Sequence, residues 1–161
     1  MKISKRILFF LLVCFLFCGR GNARAEQLKA APDFKLSAVG GSVVSLSSFK
    51  DKQSVLLFFW ATWCPYCRDE LRALNEKYAE LQKDGIGVLA INIGESPERI
   101  ARFMKNYALN FPVLLDANND VAYDYVILGI PQYVLIDKAG YIVSYENRYI
   151  PRETYKELLK N

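Results

Sequence analysis

Two cysteines, Cys64 and Cys67, lie where a buried strand is predicted to pass into a helix. Residues 55–60 are apolar and rich in aromatic side chains, as in a covered strand, and a helical pattern begins near Pro65. The first sulfur is then at a helix N-terminus, where unpaired N–H groups and the helix dipole favour a thiolate. This placement predicts that Cys64 is the nucleophile and that Cys67 resolves the mixed disulfide.

The same spacing could instead belong to half of a zinc site or to a structural disulfide. Zinc requires about four nitrogen or sulfur ligands, but the chain has no histidine, and its other cysteines, Cys14 and Cys18, lie near the N-terminus. A structural disulfide stabilises most by closing a long loop, whereas a two-residue spacer closes a very short one. The sequence therefore favours a redox-active disulfide that needs no metal or other cofactor.

These residues resemble the thioredoxin superfamily, in its TlpA-like (ResA-like) branch of extracytoplasmic thiol-disulfide oxidoreductases. The resemblance covers the chain from about Pro32 to the C-terminus. It rests on three motifs in order, which are W-C-x-x-C at residues 63–67, Gly94-Glu95-Ser96, and Gly129-Ile130-Pro131 before an apolar strand. The resemblance implies a thioredoxin-like α/β fold, with a central mixed sheet flanked by helices, and a protein-disulfide reductase activity.

The first 25 residues have the three parts of a signal peptide. Basic residues at positions 2, 5 and 6 precede an apolar run at residues 7–17, and a small-residue cleavage site ends at Ala25. The run is shorter than the ~20 residues of a membrane-spanning helix. We therefore expect cleavage after Ala25, with an uncleaved anchor as the alternative. Lipidation of Cys18 is disfavoured because the bulky Phe17 precedes it.

The positive charge of the whole chain comes from this N-terminal segment. Residues 1–25 hold five of the 21 basic residues and none of the 17 acidic ones, so residues 26–161 have a net charge of −1. That charge gives no basis for nucleic-acid binding. Cys64 and Cys67 are then the only cysteines left, as expected in the periplasm or on the outer face of the cytoplasmic membrane. The 136 remaining residues predict one domain, residues 26–161, and we expect a monomer.

Hydrophobic periodicity and turn residues predict two additions to a minimal thioredoxin fold. Residues 26–31 are expected to be a linker, followed by an N-terminal β-hairpin around Gly40 and Gly41. The span between Gly94 and Gly129 is too long for a simple crossover and predicts an inserted helix-strand-helix unit. Further strands are expected at residues 86–93, 112–115, 132–136 and 141–145, and helices at 65–83, from 97, at 118–125 and at 151–159.

Four residues outside the cysteine motif take candidate roles from the resemblance. In this superfamily the proline that matches Pro131 is cis and faces the cysteines, which exposes the backbone of Ile130 to substrate. Glu70 lies three residues after Cys67, and the resemblance implies that it lines a cavity beside the cysteines. Glu95 matches a second acidic residue near the site. Such carboxylates raise the pKa of a thiol and accept its proton; the alternative is that both are ordinary helix or loop acids.

Three residues adjoining the cysteines are predicted to contact substrate or to tune the disulfide. Trp63 directly precedes Cys64, so its ring would shield the disulfide and offer a flat docking surface. Pro65 and Tyr66 lie between the thiols and influence the reduction potential. Tyr66 differs from the acidic or small residues often found there in the branch, which leaves the potential and the partner open.

The resemblance implies that the protein is a reductant of protein disulfides. A membrane electron donor of the DsbD or CcdA type would re-reduce the pair, and apocytochrome c is the favoured substrate, in cytochrome c maturation. A disulfide-forming oxidant of the DsbA type is the nearest alternative. A thiol peroxidase is disfavoured because Leu57 and Ala61 occupy the positions of its proline and threonine, and a copper-delivery module because the chain has no histidine.

Overall fold

The computed structural model describes residues 28–160, so the predicted signal peptide at residues 1–25 lies outside the described residues. The strands are β1 (Lys35–Ser37), β2 (Val43–Ser45), β3 (Ser54–Trp60), β4 (Ile86–Ile93), β5 (Val113–Asp116), β6 (Gln132–Ile136) and β7 (Ile142–Glu146). The helices are α1 (Pro65–Lys83), α2 (Pro97–Met104), α3 (Asp120–Asp124) and α4 (Arg152–Lys160), with a 3₁₀ helix at Leu46–Phe49. Within residues 28–160 no helix is both long enough and apolar enough to cross a bilayer.

A five-stranded sheet in the order β5-β4-β3-β6-β7 forms the centre of the domain. Strand β3 is parallel to β4, which is parallel to β5, whereas β6 is antiparallel to both β3 and β7. Every residue of β3 is buried, because this strand is central and is covered on both faces. The mixed sheet flanked by helices confirms the predicted thioredoxin-like α/β fold.

Both predicted additions to the minimal fold are present. Strands β1 and β2 form the antiparallel N-terminal hairpin, and the backbone N–H of Val39 donates to the carbonyl of Val113 at 2.9 Å. The hairpin therefore covers the free edge of β5. The inserted unit consists of α2, β5 and α3, which lie between β4 and β6 in the chain.

Helix α1 has the predicted bounds and packs its apolar stripe against the sheet. Leu71, Leu74 and Leu81 are fully buried in one core cluster with alternate residues of β3. Their spacing of three and then seven residues places them on one helix face. The helix is thereby fixed to the sheet, and its first turn lies beside the end of β3.

The structure corrects two local predictions. The predicted linker at residues 26–31 is wrong in its described part, because the backbone N–H of Ala31 donates to Gly140 and the carbonyl of Lys29 accepts from Ile142. Helix α3 begins later than the predicted residue 118, because the carboxylate of Asp116 accepts hydrogen bonds from the backbone N–H groups of residues 121 and 122. At the first place the partners lie more than 100 residues away in the sequence, and at the second the partner is the last residue of β5.

Replacing Leu74 by alanine should destabilise the domain far more than the same change at Leu128. Leu74 is fully buried, whereas Leu128 is 94% exposed. We expect Leu74→Ala to lower the free energy of unfolding by about 2–5 kcal/mol, and Leu128→Ala by less than about 0.5 kcal/mol. Chemical denaturation of both oxidised variants measures this difference, and equal losses would contradict the packing described here.

Candidate active site

Cys64 and Cys67 are joined by a disulfide where the central strand β3 leads into α1. Cys64 is the N-cap residue of α1, and its Sγ accepts a hydrogen bond from the backbone N–H of Cys67 at 3.1 Å. The sulfur thus occupies the place that a serine or aspartate oxygen usually takes at a helix N-terminus. Pro65 follows as the first helical residue, where its missing N–H leaves no intrahelical hydrogen bond unmade.

The loop before β6 brings Ile130 and Pro131 to the disulfide. The Ile130–Pro131 peptide bond is cis, and the carbonyl oxygen of Ile130 lies 4.0 Å from the Sγ of Cys64. These two residues are 66 positions apart in the sequence. The fold therefore brings the first and the last of the three sequence motifs together.

The two cysteines are covered, but the aromatic residues beside them are open to solvent. Cys64 is 4% exposed and Cys67 is fully buried, whereas Trp63 and Tyr66 are 61% and 76% exposed. Pro65 is exposed as well. Exposed apolar patches on a protein surface often mark a site that binds another molecule. Trp63 and Tyr66 thus offer apolar surface next to a disulfide of which only the Cys64 side is exposed at all.

A cleft of about 450 Å³ opens between the first turns of α1 and the loops at either end of the β6–β7 hairpin. We call it the active-site cleft, and its lining residues are Tyr66, Glu70, Gly129, Ile130, Pro131, Gln132, Asn147 and Arg148. Four of the residues singled out from the sequence, Tyr66, Glu70, Ile130 and Pro131, therefore share one cleft. Glu70 is the only carboxylate among the lining residues that the structure describes.

The carboxylate of Glu70 is held by two residues that the sequence analysis did not identify. Its Oε2 accepts a hydrogen bond from the hydroxyl of Tyr133 at 2.8 Å and another from the backbone N–H of Tyr149 at 3.1 Å. Burial, followed by the negative charge of Glu70, raises the pKa of the Tyr133 phenol far above its ordinary value. The phenol therefore stays protonated and continues to donate throughout the neutral pH range.

A signal for Tyr133 was present in the sequence, but it was ambiguous. Tyr133 lies in an apolar strand two residues after Pro131, where an aromatic residue is normally part of the core. In the structure it pairs in register with Phe58 on β3, and both belong to the core cluster that packs against α1. Only the strand register shows that its hydroxyl reaches Glu70 on that helix.

Glu95 lies apart from the active-site cleft, in a network of its own. It is 6% exposed and accepts hydrogen bonds from the backbone N–H and the hydroxyl of Thr62, both at 2.6 Å, and from the Nδ2 of Asn92 at 2.9 Å. Arg99 of α2 forms an ion pair with it at 2.7 Å. Thr62 is two residues before Cys64, so the network ties the loop before the cysteines to β4 and to the inserted unit.

The hydrogen bonds to Glu95 determine its ionisation. Burial acts to raise the pKa of this carboxyl, but the hydrogen bonds from Thr62 and Asn92 and the charge of Arg99 together outweigh burial and lower the pKa. Glu95 is therefore a carboxylate at neutral pH. Among the described residues no cluster of three or more histidine, cysteine, aspartate or glutamate side chains could hold a metal ion.

Comparison with known proteins agrees with this geometry. Residues 28–145 match the model of the AhpC/TSA family. The thiol-disulfide oxidoreductase ResA of Bacillus subtilis is 37% identical over 124 residues, which cover 77% of this chain and 69% of that protein. The ResA of Bacillus cereus (strain ATCC 10987) is 33% identical over 168 aligned residues, covering 98% of this chain and 96% of that one. The chain belongs to the AhpC/TSA family and is a ResA-like thiol-disulfide oxidoreductase.

Solved structures of other proteins have the same fold. StoA from Bacillus subtilis superposes with a TM-score of 0.67 at 25% identity, covering 80% of this chain and 96% of that one. The exposed lipoprotein thioredoxin of Streptococcus pneumoniae (strain TIGR4) superposes with a TM-score of 0.70 at 28% identity, covering 80% and 98%. Both the resemblance stated from the sequence and the enzyme class are thus confirmed, with the pair Cys64 and Cys67 as the redox-active disulfide.

The Glu95 network should make the stability of the domain depend on pH. Because the folded-state pKa of Glu95 is lowered, its contribution is complete above the ordinary value of 4.5 and is lost as the pH falls through the lowered value. Glu95→Gln should therefore lower the free energy of unfolding by about 1–3 kcal/mol at neutral pH, because charge-assisted hydrogen bonds are lost. The difference from the parent should shrink below pH 4.5.

Denaturation at neutral and acid pH measures this effect, with Glu76→Gln on the exposed face of α1 as the matched control. The control should lie within about 0.5 kcal/mol of the parent at both pH values. A loss in Glu95→Gln that is the same at neutral and acid pH would show that the charge of Glu95 is not what stabilises the loop.

Proposed function

We propose that this ResA-like oxidoreductase acts outside the cytoplasm as a dithiol reductant of protein disulfides. The observation that carries the proposal is the position of the Cys64 sulfur. It caps α1, where it accepts the N–H of Cys67, and it lies 4.0 Å from the carbonyl of Ile130, which lines the same cleft as Glu70. An extended substrate segment laid along the exposed backbone at Ile130 would bring its disulfide to this sulfur.

In the first step the Cys64 thiolate attacks one sulfur of the substrate disulfide. A bond forms between Cys64 and that sulfur, the substrate disulfide breaks, and the second substrate sulfur leaves as a thiolate that takes a proton from water. The backbone N–H of Cys67, which already donates to the Sγ of Cys64 at 3.1 Å, stabilises the attacking thiolate. Trp63 and Tyr66 supply exposed apolar surface beside the new bond.

In the second step Cys67 resolves the mixed disulfide. Cys67 is fully buried, so its thiol requires a proton acceptor before it can attack. Glu70, one helical turn further along α1, accepts that proton. The Cys67 thiolate then bonds to the Sγ of Cys64, the bond from Cys64 to the substrate breaks, and the leaving thiolate takes the proton. Two electrons and the proton of Cys67 have passed from the protein to the substrate, and the other substrate thiol has taken its proton from water.

The carboxylate also supports the direction of electron flow. A helix N-terminus alone stabilises the thiolate and hence the reduced form, which makes a strong oxidant. The charge of Glu70 opposes a second negative charge nearby and raises the pKa of the thiols. Glu70 thus moves the balance towards the disulfide form, as a reductant requires. The same charge disfavours the DsbA-type alternative, because a strong oxidant requires a stabilised thiolate in its reduced form.

The cellular role follows from the N-terminal segment and the family. We propose that residues 1–25 direct export, that residues 26–161 function in the periplasm or at the outer face of the membrane, and that a DsbD- or CcdA-type donor keeps the pair reduced. Apocytochrome c is the proposed substrate. A peroxidase is not supported, because Leu57 and Ala61 are fully buried apolar residues and Ala61 carries no hydroxyl to bind a peroxide.

The order of the two cysteines is tested by serine variants. Cys64→Ser should abolish dithiol-dependent reduction of insulin, because no nucleophile remains at the helix N-terminus. Cys67→Ser should still form a mixed disulfide through Cys64 but should not turn over, so mass spectrometry of the trapped adduct identifies the substrate. Faster labelling of Cys67 than of Cys64 by iodoacetamide in the folded, reduced protein would reverse the assignment.

The role of Glu70 is tested by Glu70→Gln, which keeps the size of the side chain and removes its charge. The thiolate of Cys64 should then form at a pH lower by more than about half a unit, because a nearby negative charge is gone. Alkylation of Cys64 as a function of pH, at matched ionic strength, measures this shift. Glu76→Gln, on an exposed face of the same helix, should leave the profile unchanged, and coincident profiles for parent and Glu70→Gln would refute the proposed role.

A further inference from the structure

The two oxygens of Glu70 have different surroundings. Oε2 accepts both hydrogen bonds, from the Tyr133 hydroxyl at 2.8 Å and from the Tyr149 backbone N–H at 3.1 Å. Oε1 accepts no hydrogen bond from any residue between 28 and 160, although Glu70 lines the active-site cleft. The donors therefore hold one oxygen in place and leave the other free to accept a proton.

Packing fixes the position of the Tyr133 hydroxyl. The Tyr133 ring is fully buried and stacks on Phe58 of the central strand with 4.6 Å between ring centroids. It also contacts Tyr149 edge to face at 6.3 Å. A ring held on two sides in this way has a restricted orientation, so its hydroxyl is fixed against Glu70, which lines the cleft.

The hydroxyl of Tyr133 acts as a donor and not as a second base. Burial and the charge of Glu70 both raise the pKa of this phenol, so it carries its proton whenever Glu70 is ionised. The other titratable or charged side chains around Glu70 are Tyr66 and Arg148 in the cleft, and Tyr149 and Tyr155 in the aromatic cluster. None of these four donates a side-chain hydrogen bond to Glu70 in residues 28–160.

We propose that Tyr133 is a positioning residue for disulfide exchange. Its hydroxyl, together with the N–H of Tyr149, holds Oε2 of Glu70 so that Oε1 receives the proton of Cys67 during resolution. The same proton then passes to the leaving substrate thiolate, as the bond between the two cysteines forms and the bond from Cys64 to the substrate breaks. This inference rests on the proposed function of Glu70 as the proton acceptor.

Tyr133→Phe tests the inference, because it removes the hydroxyl and keeps the stacked ring. Reduced protein is mixed with glutathione disulfide, quenched with acid at intervals, and analysed by mass spectrometry for glutathione on Cys64. Formation of the mixed disulfide should keep the parent rate within about twofold, since no hydrogen bond within residues 28–160 joins Tyr133 to either sulfur. Its decay should slow about tenfold, a part of the roughly 10²- to 10⁴-fold that a general base contributes.

The matched control is Tyr125→Phe on the opposite face of the sheet. Tyr125 is also buried, and its hydroxyl also donates one hydrogen bond of 2.8 Å, to the carbonyl of Pro32. This variant should lose stability to a similar extent and should resolve the mixed disulfide at the parent rate. Equal slowing in both variants would mean that loss of a buried hydroxyl, and not positioning of Glu70, causes the effect.

A further readout separates positioning from structural support. In a Glu70→Gln background, Tyr133→Phe should change the resolution rate by less than about twofold, because no base is left to position. An undiminished effect of Tyr133→Phe in that background would overturn the inference.

Failure of this inference is distinguishable from failure of the proposed function. If Glu70→Gln slows resolution and Tyr133→Phe does not, the inference about Tyr133 is wrong and Glu70 remains the acceptor. If Glu70→Gln resolves at the parent rate, Glu70 is not the acceptor and both proposals about this carboxylate fall. Circular dichroism and the denaturation midpoint of each oxidised variant establish that the rates compare folded proteins.

Discussion

The hydrogen bond from the Cys67 N–H to the Cys64 sulfur is the interaction on which the site depends. It makes a redox-active atom the N-cap of α1, so the position of the sulfur is fixed by the helix and, through it, by the core. The helix in turn is held by leucines buried against the central sheet. Reduction replaces the neutral disulfide sulfur of Cys64 by a thiolate at the same position. The N–H of Cys67 and the positive end of the helix dipole then stabilise its negative charge.

In the proposed mechanism the rest of the site sets how far that charge is favoured. The carboxylate of Glu70 is proposed to act against it, and hydrogen bonds from Tyr133 and Tyr149 hold that carboxylate at the cleft. Glu95 acts in a different way, because its partners fix the loop before Cys64 and do not reach the cleft. The two acidic residues suggested together by the resemblance thus have separate structural settings: Glu70 lines the cleft, and Glu95 lies in the network that holds the loop before Cys64.

Sequence reasoning succeeded where the deciding interactions are local. The bounds of α1 and β4 follow from Pro65, the apolar stripe and an uncharged run, all of which are read within a few residues. It failed where a contact between two elements decides the outcome: Asp116, at the end of β5, sets the start of α3 from five residues away, and Ala31 pairs with a turn near residue 140. Tyr133 was missed for the same reason, because its hydroxyl is assigned by the register of β6 against β3.

The central claim, that the folded domain favours its disulfide and so acts as a reductant, is tested most directly by comparing the stability of the two redox forms. The free energy of unfolding is measured by chemical denaturation for the oxidised protein and for the protein held reduced, at the same pH and ionic strength. We predict that the oxidised form has the larger free energy of unfolding. A more stable reduced form would contradict it and would indicate a disulfide-forming oxidant of the DsbA type.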